Sequence, residues 1–254
     1  MNLIYNMIVA FSMYSKIPMP HVEWTKERMR YMFCFFPVIG AVIGAALYLW
    51  MRFGGILVGD DALFTAVLVL IPIIITGGIH LDGFLDTCDA LSSYKSMEEK
   101  LEILKDSHAG AFAIIMGCCY FLVSYGVYHA MTMDALKLTG VGFVLSRALS
   151  GFAVVKFKKA KKSGLVYAFS DSSQKQTVAV TMIAFAAVSL VLMLLIDPVP
   201  GICCFAFALI WFFCYRGIAY KKFGGTTGDI AGFFSQLCEL GIALTAVTVY
   251  HIMG

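Results

Sequence analysis

Seven stretches of this chain are long and apolar enough to cross a bilayer: residues 31–51, 62–81, 111–131, 138–155, 177–196, 199–215 and 231–252. About 20 consecutive apolar residues span the hydrocarbon core as a helix. No other feature limits the fold so strongly. The composition agrees. Of 254 residues, 60% are hydrophobic and only 14% charged, against roughly 25% charged in a soluble domain, and the mean hydropathy is +0.84. The sixth run is the shortest, and the Pro198–Pro200–Gly201 turn before it suits two antiparallel helices. The expected fold is all-α: one polytopic integral membrane helical bundle over 1–254, with about seven transmembrane helices. The first fourteen residues lack the early positive charge and cleavage site of a signal peptide. They are too short to span and are expected as an interfacial, re-entrant or tilted helix.

Lys and Arg set the orientation. Sixteen of the 19 lie in segments 15–30, 82–110, 156–176 and 216–230, and only Arg52 and Lys137 fall on the other side. The basic side is expected to be cytoplasmic, in the cell's inner membrane. A net charge of +3 gives no argument for nucleic acid. Ser96 followed by Glu99 is a capping box, and Met97, Leu101 and Leu104 recur at helical spacing against Glu98, Glu102 and Lys105. This predicts a short amphipathic surface helix near 96–106. The eight cysteines show no C-x-x-C pair and lie mostly in apolar runs, so they read as small buried hydrophobes.

The second run ends in GGIHLDGFLDTCDA. Asp82, Asp86 and Asp89 are spaced i, i+4, i+7, which puts all three on one face if the helix continues past Leu81. Like charges so placed repel. A divalent cation reverses that argument, and Mg²⁺ takes carboxylate oxygens while sharing its other positions with water and phosphate. Gly83 leaves room for an anionic ligand, and Thr87 adds a hydroxyl. His80 is a candidate base or an interfacial residue. Asp106 can fold back towards the cluster.

A second polar motif, KKFGGTTGDIAGF, opens the last run. Gly225, Thr227, Gly228 and Asp229 form a Gly-rich turn before a helix, where backbone N–H groups can cradle an anion. Arg147 and Glu239 lie within spans, Arg147 roughly 13 Å deep at 1.5 Å per residue. Such residues are functional candidates. The two can pair and, with Ser146 and Gln236, line a polar cleft. KFKKAKK (156–162) reads first as a patch for anionic lipid, and otherwise as a guide for a polyanionic substrate.

GGIHLDGFLDTCDAL, EILKDSHAGAF, SRALSG and GGTTGDIAGFFSQLCELG, with SMYSKIPMP and FFPVIGAVIG near the start, resemble the cobalamin synthase family, adenosylcobinamide-GDP ribazoletransferase. The likeness runs in order over nearly the whole chain. It implies an Mg²⁺-dependent membrane transferase that joins adenosylcobinamide-GDP to α-ribazole or its 5′-phosphate, releasing GMP. It places metal and pyrophosphate chemistry on Asp82, Asp86 and Asp89, with Asp106 and Asp229 in support; together with the reading of the residues, catalysis is expected at the three aspartates and His80. Gly83, Thr87, Asp106, Arg147, Gly225, Thr227, Gly228, Asp229 and Glu239 would bind substrate. The implied partners are the two substrates, the lipid bilayer, and a second copy or other cobalamin-assembly enzymes. The chain departs from the family at Ala90, often Gly there, and at His108, often Arg.

Two other readings fit less well. A CDP-alcohol phosphotransferase needs D-G-x-x-A-R and a downstream Asp pair, and Asp86-Thr87 stand where Ala-Arg should. A transporter predicts ionisable residues near the middle of several spans, whereas most acids here gather at one membrane face.

Overall fold

Two consecutive glycines break the second apolar run and set the architecture around them. In the computed structural model, which describes residues 3–106, 108–161 and 165–254, the elements in chain order are α1 (Leu3–Tyr14), α2 (Lys26–Met29), α3 (Phe36–Phe53), α4 (Asp61–Thr76), α5 (Ile79–Ser92) and α6 (Met97–Ile103). They are followed by α7 (Ala111–His129), α8 (Met133–Lys156), α9 (Leu165–Ser172), α10 (Lys175–Ile196), α11 (Pro198–Phe223) and α12 (Gly228–Met253). Among the described residues the only β feature is an isolated bridge between Lys159 and Thr226.

Among the described residues, six helical segments, built on α3, α7, α8, α10, α11 and α12, are long and apolar enough to cross a membrane. A seventh crossing exists only if α4 and α5 count as one broken span, bent by 96°. The sequence predicts a helix running unbroken through Leu81, and this is corrected. The helix stops at Thr76 because Gly77 and Gly78 take φ of 66° and 77°, a left-handed region open to glycine at little cost. Both glycine N–H groups close back on Ile73 O. Thr76 Oγ1 donates to Pro72 O at 2.8 Å, on the carbonyl one turn back.

α8 lies at the centre and packs on α3, α10 and α12. Small residues permit the close approach: a Cβ on Gly44 of α3 would sit 2.9 Å from Gly140 O. α10 and α11 point Ile183, Leu195, Ile210 and Phe213 outward. An apolar surface of that extent marks a lipid-facing wall. Cys118, Cys119 and Cys214 also lie on the exposed outer surface, which corrects their reading as buried. All eight cysteines are free.

α1 is 12 residues long, about 18 Å at 1.5 Å per residue and too short to span. It docks into the bundle instead. Val9, Ala10 and Tyr14 are buried, Tyr31 N–H donates to Asn6 Oδ1 at 2.7 Å, and Lys16 N–H donates to Ile75 O at 2.7 Å. α6 forms with the expected capping box: Glu99 N–H reaches Ser96 Oγ at 3.3 Å, and Ser96 N–H reaches Glu99 Oε2 at 3.0 Å. Leu104, just past its end, is buried.

Candidate active site

α5 restarts where the glycines end, with Asp82 N–H donating to Gly78 O at 2.8 Å. Turned 96° from α4, it carries three carboxylates. It crosses the first turns of α12 almost backbone to backbone. A Cβ on Gly83 would stand 2.7 Å from Asp229 Cα, and one on Gly232 would stand 2.9 Å from His80 O. Gly83 therefore serves helix contact. The room expected there for a ligand is filled by α12. The crossing joins Asp82 of the first motif to Asp229 of the second in one site.

A cavity of about 400 Å³ opens at this crossing. Asp82 and Asp229 line it, as do Thr226, Thr227 and Gly228 at the start of α12. Met13, Tyr14, Phe33 and Phe36 give it an apolar wall, and Lys105, Lys159 and Lys161 bring positive charge. A second cavity of about 520 Å³ includes Ser12, Ser15, Lys16 and Gly77, and it shares Met13, Ile79 and Asp82 with the first. Asp82 thus stands between two cavities.

The segment after α8 is fastened to the turn before α12. Thr226 N–H donates to Lys158 O at 2.8 Å and Ala160 N–H to Thr226 O at 3.1 Å. Lys158 N–H reaches Tyr220 Oη at 2.9 Å, and Tyr215 Oη lies 2.6 Å from Thr226 Oγ1. Gly225 is buried, and a Cβ there would strike the backbone around Lys159. Thr227 caps α12 by accepting from Ile230 N–H at 3.3 Å, and its hydroxyl donates to Asp229 Oδ2 at 3.3 Å. Lys159 Nζ donates to Val154 O and Phe157 O, and Lys161 Nζ to Leu101 O at 2.6 Å. Burial, with Lys175 nearby, lowers the Lys159 ammonium to about 8. Burial and then Lys105 lower Lys161 as well.

The remaining sequence candidates divide. Asp86 is half-buried beside the cavity. Burial first, then the charges of Asp82, Asp229, Asp89 and Asp106, raise its carboxyl to about 6. Asp89 is half-buried with its carboxylate against Gly110, at the start of α7. Asp106 is exposed and held by His108, whose Nδ1 lies at 2.7 Å. Thr87 is fully buried with no partner for Oγ1 and does not line the cavity. His80 lines the cavity but is only 5% exposed. Its ring stacks on Tyr14 at 6.0 Å, and its Nδ1 is buried without a partner.

Arg147 and Glu239 do pair, Nη1 to Oε1 at 2.6 Å, and Ser146 Oγ donates to the same oxygen at 2.7 Å. Gln236 accepts from Tyr120 Oη at 2.6 Å. All of these but Tyr120 are buried, and none lines either large cavity. The expected open polar cleft is a closed network, because glycine contacts such as Gly142 on Ile242 draw α8 and α12 together.

Sequence reasoning did not assign Lys105, Lys159, Lys161, Ser150 or Tyr167 to the site. Lys159 and Lys161 carried a signal: i, i+2 spacing in a short extended segment puts both on one side. They line the cavity, while Lys156 and Lys158 are exposed. The lipid reading of the whole run is corrected for these two. Lys162, the end of that run, lies outside the described residues. Among the described residues, no three His, Cys, Asp or Glu side chains form a ready-made metal cage.

Six to seven helices long and apolar enough to span, with a charged cavity at the α5–α12 crossing, define a polytopic membrane protein. The sequence profile of the cobalamin-5-phosphate synthase family matches residues 6–247, and the chain belongs to that family. A relative from Lachnoclostridium phytofermentans, named adenosylcobinamide-GDP ribazoletransferase, is 47% identical over 97% of this chain and 95% of its own. Relatives of the same name from Clostridium botulinum (31% identical, 94% and 95% covered) and Desulfitobacterium hafniense (32% identical, 96% and 96% covered) agree. No solved structure matches the chain. The chain is a transferase of late cobalamin biosynthesis.

Proposed function

We propose that the chain joins adenosylcobinamide-GDP to α-ribazole or its 5′-phosphate, releasing GMP, at the α5–α12 crossing on the cytoplasmic side of the cell membrane. One observation carries this reading. Asp82 lies between two cavities and shares the first, of about 400 Å³, with Asp229. A transferase with two substrates needs two spaces that meet at the reacting atoms.

Mg²⁺ suits the donor set. The acids around Asp86 are oxygen donors whose mutual repulsion a cation would relieve. Mg²⁺ is held by one or two carboxylates with waters and substrate phosphates, so a closed protein cage is not required. Asp82 and Asp229 would hold it, with Asp86 behind them. When bound it would neutralise pyrophosphate oxygens during transfer.

A ribose hydroxyl oxygen of the acceptor, one left free in both α-ribazole and its 5′-phosphate, bonds to the phosphorus attached to cobinamide. The bond from that phosphorus to the bridging oxygen breaks, and GMP departs with that oxygen. A cavity carboxylate, Asp82 or Asp229, takes the hydroxyl proton. His80 serves this role less well, because its ring is almost wholly buried and stacked on Tyr14. With Tyr14 and Phe36 it shapes the wall instead. The apolar wall suits the large, partly apolar cobinamide.

The test is direct: purified protein in liposomes receives adenosylcobinamide-GDP, α-ribazole and Mg²⁺, and GMP release is followed. GMP and adenosylcobalamin should appear together. Absence of both, with turnover of a CDP-alcohol pair instead, overturns the reading.

A further inference from the structure

Lys159 and Lys161 present two cations in the walls of the cavity that Asp82 shares with Asp229. Among the described residues, both ammonium groups hydrogen-bond only to backbone carbonyls. Neither is within salt-bridge distance of a carboxylate among the described residues. Lys175 lies near Lys159 and Lys105 near Lys161, where Glu102 and Asp229 offset part of the repulsion without reaching salt-bridge distance. Partly buried cations without a salt-bridge partner are costly unless an anion joins them. A second feature points the same way. Thr227 and Gly228, where α12 begins, line the same cavity, and the start of a 26-residue helix carries partial positive charge. The paired 158–160 and 226 backbones fix both cationic elements to one frame.

We propose that Lys159 and Lys161, with the first turn of α12, form the subsite for the nucleoside monophosphate half of the activated substrate. This rests on the function proposed above and deepens it by orienting the substrate. The nucleotide lies at the lysine end, and the transferred half lies along Met13, Tyr14 and Phe36. As the new P–O bond forms to the acceptor and the bridging P–O bond breaks, the electron pair of the broken bond goes to the departing monophosphate. The lysines already lie where that charge grows. Charge-assisted contacts of this kind select a phosphate monoester with no metal required.

GMP binding to the full chain in detergent, measured by calorimetry in EDTA, tests this, with transferase turnover and thermal unfolding followed on the same preparations. Wild type should bind GMP without metal. Lys159→Met and Lys161→Met should each weaken it roughly tenfold or more, with a raised KM for adenosylcobinamide-GDP. Lys161→Arg should restore binding. Lys158→Ala removes an equal charge outside the cavity and should change neither quantity. Turnover by wild type with GMP binding unchanged in both Met variants overturns the subsite alone, as does loss in Lys158→Ala equal to that in Lys161→Met. Absence of wild-type turnover overturns the functional reading instead. If a Met variant unfolds, Lys161→Arg decides: a folded Arg variant that no longer binds GMP overturns the subsite.

Discussion

Gly83 of α5 lies against the backbone of Asp229 in α12, where a Cβ would stand 2.7 Å from Asp229 Cα. Gly232 repeats the arrangement one turn further along α12, against His80 O. The two glycines set how closely the helices cross. They thereby fix the separation of Asp82 and Asp229, which belong to motifs about 150 residues apart in the sequence.

Gly83→Ala should force that crossing apart. Backbone atoms cannot yield as a flexible side chain can, so an overpacking cost of about 1–3 kcal/mol is expected. Turnover should fall further than the unfolded fraction explains, because the carboxylates separate. Thermal unfolding and GMP release on one preparation check both, and a variant with wild-type turnover would falsify the crossing as the determinant.

Asp82→Asn and Asp229→Asn should each lower turnover by roughly 10²-fold or more, the scale on which removing one charge-stabilising group acts. Asp89→Asn should cost less, because its carboxylate rests at the start of α7 outside the cavity. EDTA should abolish turnover in wild type, and added Mg²⁺ should restore it. Equal losses at positions 82 and 89 would count against the cavity as the reaction site.

The buried Arg147–Glu239 pair predicts stability effects of its own. Removing one partner, as in Arg147→Met or Glu239→Leu, leaves an uncompensated buried charge and should cost about 3–5 kcal/mol. The double variant should recover much of that loss, because no orphaned charge remains. Unfolding midpoints in detergent measure the difference. A double variant as unstable as the sum of the singles would contradict pairing.

GMP affinity should fall as pH rises from 7 to 9. The free Lys159 ammonium, lowered to about 8, is mostly charged at pH 7 and mostly neutral at 9. The phosphate monoester, with its second pKa near 6, has already finished titrating. The direction is therefore set by loss of the cation. The charged groups sharing its cavity are Lys105, Lys161, Asp82 and Asp229, and Lys161 shifts in the same sense. Titration calorimetry at several pH values checks this, and Lys159→Met should flatten the profile.

Apolar run lengths alone determined an all-helical bundle, because a chain in lipid has few other ways to satisfy its backbone. The capping box at Ser96 was equally legible, a local motif with its own hydrogen bonds, whereas the turn expected over 197–201 shrinks to Asp197, which caps α11 directly after α10. The pairing of Arg147 with Glu239 followed from the cost of burying either alone. Tertiary structure alone decided where α5 points. Gly77 and Gly78 allow a break, but the 96° bend depends on α12 being there to receive Gly83. It likewise decided which acids face the cavity, admitting Asp82 and Asp229 while Asp89 turns to α7 and Asp106 to His108. The lysine run shows the same limit. Its charge was plain, but the backbone bridge to Thr226, which holds Lys159 and Lys161 in the cavity wall, joins segments far apart in the chain. Helical spacing records only which residues share a face. Which neighbour that face meets is set by packing between distant segments, and no local pattern encodes it.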